Sequence, residues 1–120
     1  MRSHTFPKRE RLNKTLYIQE LFKTGSSFYL YPFKVIYRAH PEGQLAPRQI
    51  LIAVPARNFK RAVDRNLLKR RIREAYRINK HMIAQKPRTV IAYVYTAKEI
   101  LDFDKVADQL IKTFDRLPSA

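Results

Sequence analysis

The segment 60–77 constrains the fold of this chain most, because it contains neither proline nor glycine and repeats cationic side chains at helical spacing. Counted from Asn66, basic residues recur three, four, seven and eleven positions later, and such positions share one face of a helix. Between Arg57 and Lys80, ten basic residues stand against two acidic ones, a net charge of +8 in a chain whose total is +15. The pattern predicts a helix from about Lys60 to Asn79 with a cationic face.

A helix face that repeats like charges is costly, since ordinary solvated helices mix signs and form oppositely charged pairs one turn apart. Binding to a polyanion removes that repulsion, and nucleic acid is the obvious polyanion. Two apolar strips flank the charged face, one formed by Leu68, Ile72 and Ala75 and the other by Val63 and Leu67. We therefore expect protein to hold this helix along both sides. The alternative is a merely solvated charged helix.

The composition indicates one folded domain over residues 1–120, with residues 1–11 as a flexible basic arm. The chain is 45% hydrophobic and has seven tyrosines and seven phenylalanines, which is enough to build a core. It has no cysteine, which excludes disulfides and cysteine-based zinc sites. No apolar run approaches the roughly 20 residues of a membrane span, and no signal peptide is evident, so we expect a cytoplasmic protein.

The first half of the chain predicts one helix and two or three strands. Asn13 is suited to cap a helix that Gly25 ends, and Ser26-Ser27 is predicted as a turn. Region 28–39 is rich in aromatic and β-branched residues, and Pro32 indicates an edge, a bulge or a division into two strands. Region 49–54 predicts a buried strand.

The second half predicts the basic helix, a strand over 89–95 and a closing helix capped by Asp102, whose apolar residues recur at steps of three and four. The resulting order, α-β-β-β-α-β-α, indicates an α+β protein. We expect a two-layer α/β sandwich with the helices packed on one face of the sheet.

The stretch from Ala62 to Ala75 resembles the RNR signature of the bacterial ribonuclease P protein subunit. It reads Ala-Val-x-Arg-Asn-x-x-Lys-Arg-x-x-Arg-Glu-Ala. Arg11-Leu12 before the first helix and Phe22-Lys23-x-Gly25 at its end agree with the family in the expected order. The resemblance spans roughly Phe6 to Phe114. It departs from the family after the second strand region, where only Arg57 is basic, and at the end of the last strand, where Tyr95 replaces a more polar residue.

The resemblance implies a ribosomal-protein-like sandwich with a left-handed βαβ crossover. It also implies a subunit of an endoribonuclease that removes the 5′ leader of precursor tRNA, in which the RNA subunit carries the catalysis and holds the magnesium ions. The implied partners are that catalytic RNA and precursor tRNA, without a membrane or an obligate protein partner. The alternative is a structural ribosomal-RNA-binding protein, which co-purified RNA would distinguish.

The resemblance assigns residues to two RNA surfaces. The motif helix meets the catalytic RNA, and a groove between the first helix and the sheet holds the single-stranded leader by stacking and by cations along the phosphates. Lys34 and Arg38 join the groove because alternation puts them on the side of Ile36, whereas Tyr29, Tyr31, Phe33 and Tyr37 are assigned to packing. The catalytic-RNA residues are Lys60, Arg61, Arg65, Asn66, Lys69, Arg70, Arg73 and Arg77. The leader residues are Phe22, Lys34, Ile36, Arg38 and Arg57.

No active site borne by the protein itself is evident. The histidines His4, His40 and His81 are scattered, and the acidic residues Asp102 and Asp104 stand where helix starts favour acids. With only two glycines there is no glycine-rich phosphate loop. We therefore expect no catalytic residue and no tightly bound metal in this chain. A stand-alone nuclease and a DNA-binding helical module are the remaining alternatives, and the long cationic face argues against the second.

Overall fold

The computed structural model describes residues 15–41 and 48–118. The predicted basic arm, the Asn13 cap and part of the loop after β2 lie outside these ranges. The described elements follow the predicted order and comprise α1 (Thr15–Thr24), β1 (Ser26–Leu30), β2 (Phe33–Ala39), β3 (Gln49–Ala53), α2 (Ala62–Asn79) with a 3-10 turn (Lys80–Ile83), β4 (Thr89–Tyr95) and α3 (Phe103–Phe114).

The four strands form one sheet in the order β1-β2-β4-β3. Strand β2 pairs antiparallel with β1 and β4, whereas β3 and β4 are parallel and are joined through α2. Ser26 and Ser27, predicted as a turn, instead begin β1. The turn is already complete at Gly25, whose backbone N–H donates to the carbonyl of Leu21 at 2.9 Å, so the chain enters the strand at once.

Helices α2 and α3 cover one face of the sheet and form the main core with it. Leu68 and Ile72 of α2 and Leu110 of α3 are fully buried against strand residues such as Val35 and Tyr93. The predicted cap of α3 is confirmed, because the carboxylate of Asp102 accepts a hydrogen bond from the backbone N–H of Lys105 at 2.9 Å. The α+β class with a four-stranded sheet is confirmed by this arrangement.

Helix α1 packs on the opposite face of the sheet, so the prediction that all helices share one face is wrong for α1. Its Leu21 is fully buried with Ile36, Val90 and Ala92. These strand residues alternate with the side chains that face α2 and α3, which makes the central strands apolar on both faces. A sheet of that kind needs cover on both sides, and α1 supplies the second.

The junction of α1 and β1 offers a test of how closely α1 is held. A β-carbon added at Gly25 would lie 2.5 Å from the carbonyl oxygen of Leu21 and 3.0 Å from Cγ2 of Ile36. We expect Gly25→Ala to lower the free energy of unfolding by about 1–3 kcal/mol, because the backbone of α1 must shift to admit the methyl group. Urea denaturation measures this, with Ser26→Ala as the exposed neighbouring control. Equal stability of the two variants would contradict the close approach.

Candidate nucleic-acid interface

Helix α2 is held by the protein along one side only. Leu68, Ile72 and Ala75 are buried, whereas Val63 is 59% exposed and Leu67 is half-buried. The prediction that two apolar strips are both covered is therefore wrong. The reason is geometric: α2 packs into the core formed with the sheet and α3 on the side of Leu68, and Val63 lies on the opposite side of the helix. The whole arc of α2 opposite its buried side faces solvent.

The basic face of α2, which we define as Asn66, Lys69, Arg70, Arg73 and Arg77, lies on that solvent-facing arc. Asn66, Arg70 and Arg73 are exposed and Lys69 is half-buried. Within residues 15–41 and 48–118, the side chains of these four make no hydrogen bond or ion pair, and the same holds for Lys60 and Arg61 before the helix. Unpaired like charges at this spacing are unfavourable in the free protein and are relieved by phosphates.

The fifth member of the basic face, Arg77, forms an ion pair with Glu74 one turn earlier. Its Nε donates to a carboxylate oxygen of Glu74 at 3.1 Å. The hydrogen bond to Glu74 raises the pKa of Arg77, and the same bond lowers the pKa of Glu74. The charge of Arg77 is therefore partly balanced inside the protein, unlike the charges of Lys69, Arg70 and Arg73.

Two further arginines of α2 donate to backbone carbonyls of the protein itself. Nη1 of Arg65 lies 2.7 Å from the carbonyl oxygen of Phe59 and 2.9 Å from that of Lys60. Nη1 of Arg71 lies 2.6 Å from the carbonyl oxygen of Leu101, before α3. The sequence groups all these arginines in one basic run, whereas the structure separates them by what their guanidinium groups contact.

The predicted leader residues of α1 and β2 lie on the α1 side of the sheet. Phe22 is 49% exposed at the C-terminal turn of α1, and Lys34 is exposed on β2. Ile36 is only 7% exposed, beneath α1. Nη1 of Arg38 donates to Oγ1 of Thr24 at 2.7 Å and to a carboxylate oxygen of Glu20 at 3.1 Å. Ile36 and Arg38 therefore hold α1 on the sheet, while Phe22 and Lys34 remain accessible.

The strand register places four residues side by side on the part of this face that α1 leaves open. Tyr29 stands opposite Lys34, Lys34 opposite Val94, and Val94 beside Ala53. We call these four residues the open row. Tyr29 was assigned to packing from the sequence, but it is 58% exposed, and Val94 and Ala53 are half-buried. Sequence reasoning missed three of these residues because their adjacency depends on pairing between strands, which no single segment reveals.

The other aromatic residues assigned to packing divide between core and surface. Phe33 is fully buried, and its ring packs edge-to-face against Tyr93 at a centroid distance of 5.6 Å. Tyr37 is half-buried against the same core. Tyr31 is 39% exposed in the connection between β1 and β2, where its hydroxyl donates to Glu99. That hydrogen bond raises the pKa of Tyr31 to about 12.

The open row lies at the end of the sheet where β3 finishes and the chain continues toward α2. Strands β3 and β4 are parallel, so their C-terminal ends, with Ala53 and Val94, lie together. The segment 54–61 runs from that end to the first turn of α2 and carries Arg57, which is exposed. Arg57 thus lies in the segment that connects β3, whose Ala53 belongs to the open row, to α2, which carries the basic face.

The described residues contain no group of three histidine, cysteine, aspartate or glutamate side chains that could hold a metal ion. His40 is buried, with Nε2 at 3.1 Å from the side-chain oxygen of Gln49, and Asp102 caps α3. Over the same residues, no helix has the length and apolar character needed to cross a membrane.

Comparison with known proteins places the chain in a family. The family model described as Ribonuclease P matches residues 6–118. The ribonuclease P protein component of Porphyromonas gingivalis is 36% identical over 115 residues, covering 92% of this chain and 84% of that protein. The corresponding protein of Vibrio campbellii is 31% identical over 117 residues, covering 98% and 92%. The structure of the RNase P protein from Thermotoga maritima superimposes with a TM-score of 0.77 at 28% identity, covering 92% of this chain and all of that one. The chain belongs to the ribonuclease P protein family.

Proposed function

We propose that this chain binds the catalytic RNA of ribonuclease P through the basic face of α2, extended by Lys60 and Arg61 before the helix. The observation that carries the proposal is the set of α2 side chains that are solvent-facing and unpaired within the described residues. Phosphates of a folded RNA neutralise such charges and release bound counterions, which makes the binding strong and dependent on salt.

The second part of the proposal concerns the 5′ leader of precursor tRNA, which we place along the open row and Phe22. An exposed aromatic ring provides a stacking surface worth about 1–3 kcal/mol per base for any base, so a strand of variable sequence is accepted. Phe22 and Tyr29 supply the exposed rings, and Lys34 and Arg57 supply the cations. Ile36 and Arg38 hold α1 on the sheet and so keep Phe22 in place. This surface would hold single-stranded RNA without reading its sequence.

In this proposal the chemistry belongs to the RNA subunit, which holds the magnesium ions that the reaction requires. Among the described residues, no three histidine, cysteine, aspartate or glutamate side chains come together as a candidate metal site. The chain instead lowers the repulsion between two polyanions, the catalytic RNA and the precursor. Endonucleolytic removal of the leader then yields the mature 5′ end, in the cytoplasm where precursor tRNA is processed.

Reconstitution tests the proposal directly. Adding the protein to a ribonuclease P RNA should accelerate 5′ processing of a precursor tRNA most at low magnesium, because protein cations and metal ions screen the same phosphates. The rate of leader release is measured against magnesium concentration with and without protein. The control is protein plus precursor and magnesium without the RNA subunit. Cleavage at the mature 5′ end in that control, or no acceleration at any magnesium concentration, would defeat the proposal.

A further inference from the structure

We infer that Arg65 is a positioning residue that holds the segment 54–61 between the two RNA surfaces, so that Arg57 faces the leader. This inference rests on the proposed function and deepens it. The family motif places Arg65 among the catalytic-RNA residues, whereas we assign it an intramolecular role. The exposed residue Arg70 on the same helix does not have this role.

The hydrogen bonds of Arg65 carry the inference. One guanidinium nitrogen, Nη1, donates to two successive carbonyl oxygens, those of Phe59 at 2.7 Å and Lys60 at 2.9 Å. Hydrogen bonds from a charged donor are about twice as strong as neutral ones. Moving Arg65 onto a phosphate would leave both carbonyls without this donor. Arg65 also precedes Leu68 by three positions and Ile72 by seven, which places it beside the buried strip of α2 rather than at the centre of the basic face.

The start of α2 has little else to hold it. Arg61, the N-cap residue, makes no hydrogen bond from its side chain to the first turn. Helix starts without such a cap leave backbone donors unsatisfied and fray more easily. The guanidinium of Arg65 cannot satisfy those backbone donors, but its donation to the carbonyls of Phe59 and Lys60 anchors the residues just before the helix.

The ring of Phe59 gives the segment its second anchor. Phe59 is 7% exposed, and its centroid lies 5.9 Å from that of Tyr95 at the end of β4. Tyr95 is itself fully buried and donates from its hydroxyl to the carbonyl of Glu99 at 2.7 Å. Arg65 and Tyr95 thus hold Phe59 from opposite ends, by its carbonyl and by its ring. These two contacts limit how far Arg57, two residues earlier in the chain, can move.

A double-mutant cycle tests the inference in the reconstituted complex of full-length protein, ribonuclease P RNA and tRNA. The readout is the ratio of affinities for precursor and mature tRNA, which measures leader contacts alone. Arg57→Ala and Arg65→Ala should each lower that ratio by about three- to fivefold, the effect of one exposed charge contact. Because both act through Arg57, the double variant should lose no more than either single variant.

The control is Arg70→Ala, which removes the same charge from the same helix. It should leave the precursor-to-mature ratio unchanged and reduce the salt slope of catalytic-RNA binding by about one unit, whereas Arg65→Ala should leave that slope unchanged. A unit loss of slope in Arg65→Ala, or additive losses in the Arg57 and Arg65 double variant, would overturn the positioning role. If wild-type protein failed to discriminate precursor from mature tRNA and Arg70→Ala left the slope intact, the proposed function itself would fail.

Phe59→Leu provides a variant that changes no charge. It removes the ring contact with Tyr95 while keeping the apolar volume close to that of the original side chain. We expect it to lower the precursor-to-mature ratio as Arg65→Ala does, with the salt slope of catalytic-RNA binding unchanged. The Phe59→Leu variant also tests the inference if Arg65→Ala does not fold. A ratio that stays at the wild-type value in folded Phe59→Leu would overturn the inference.

Discussion

The variant carrying Arg70→Ala and Arg73→Ala together should bind the catalytic RNA about 10- to 100-fold more weakly at physiological salt and should lose about two units of salt slope. Both side chains are exposed on the basic face of α2 and unpaired within the described residues, so their removal takes two phosphate contacts and disturbs no internal bond. Filter binding between about 50 and 200 mM monovalent salt, where contacts of this kind change affinity steeply, measures both quantities.

The matched control for that variant removes two cations from a different helix. Lys105 and Lys112 are exposed on α3, and replacing both by alanine changes the net charge of the protein by the same amount. If total charge drove binding, the two double variants would lose equal affinity and equal slope. We expect the α3 variant to stay close to wild type, because only charges within about 10 Å of a phosphate are felt strongly at 0.1 M salt. Equal losses would show that the basic face of α2 has no special role.

The elements of this fold that are determined by residues close together in the sequence were predictable. The apolar run 89–95 coincides with β4, and Asp102 marks the start of α3 because its carboxylate satisfies a backbone donor of the first turn. The spacing of the basic residues from Asn66 to Arg77 likewise predicts α2 and its exposed basic face. Helical periodicity is a local property, so a single sequence carries it in full.

The parts that depend on contacts between distant segments were not predictable in the same way. The position of α1 on the second face of the sheet follows from Ile36, Val90 and Ala92, which come together only through the order β2-β4-β3. The open row depends on a register that pairs Tyr29 with Lys34 and Lys34 with Val94. A shift of one residue in that register would turn each of these side chains to the other face. The sequence pattern therefore identified Lys34 and left its neighbours among the core residues.

The roles of the arginines of α2 were predictable only in part from the sequence. Helical spacing alone separates Arg65 from Arg70, since Arg65 shares the side of Leu68 and Ile72, which are buried. Its partners, however, are the carbonyls of Phe59 and Lys60, and their position depends on how the segment 54–61 folds back over Tyr95. A signal for a distinct role of Arg65 was thus present in the sequence, but its meaning required the structure.

Phe22→Ala should weaken binding of precursor tRNA to the reconstituted complex by about 5- to 150-fold while leaving the affinity for mature tRNA unchanged, the range expected when one base loses its stacking partner. The ring is 49% exposed, so its truncation removes little buried area and should not unfold the protein. Because the ring carries no charge, the salt slope of precursor binding should stay at its wild-type value, in contrast to the Arg70 and Arg73 variant.

Leu16→Ala is the control for this prediction, because Leu16 is 65% exposed near the opposite end of the same helix. A general disturbance of α1 would appear in both variants, whereas loss of a stacking surface appears only when Phe22 is removed. Equal losses of precursor and mature tRNA affinity in Phe22→Ala would indicate a folding defect instead. An unchanged precursor affinity would place the leader away from the C-terminal turn of α1, and Tyr29→Ala would then show whether the open row alone holds it.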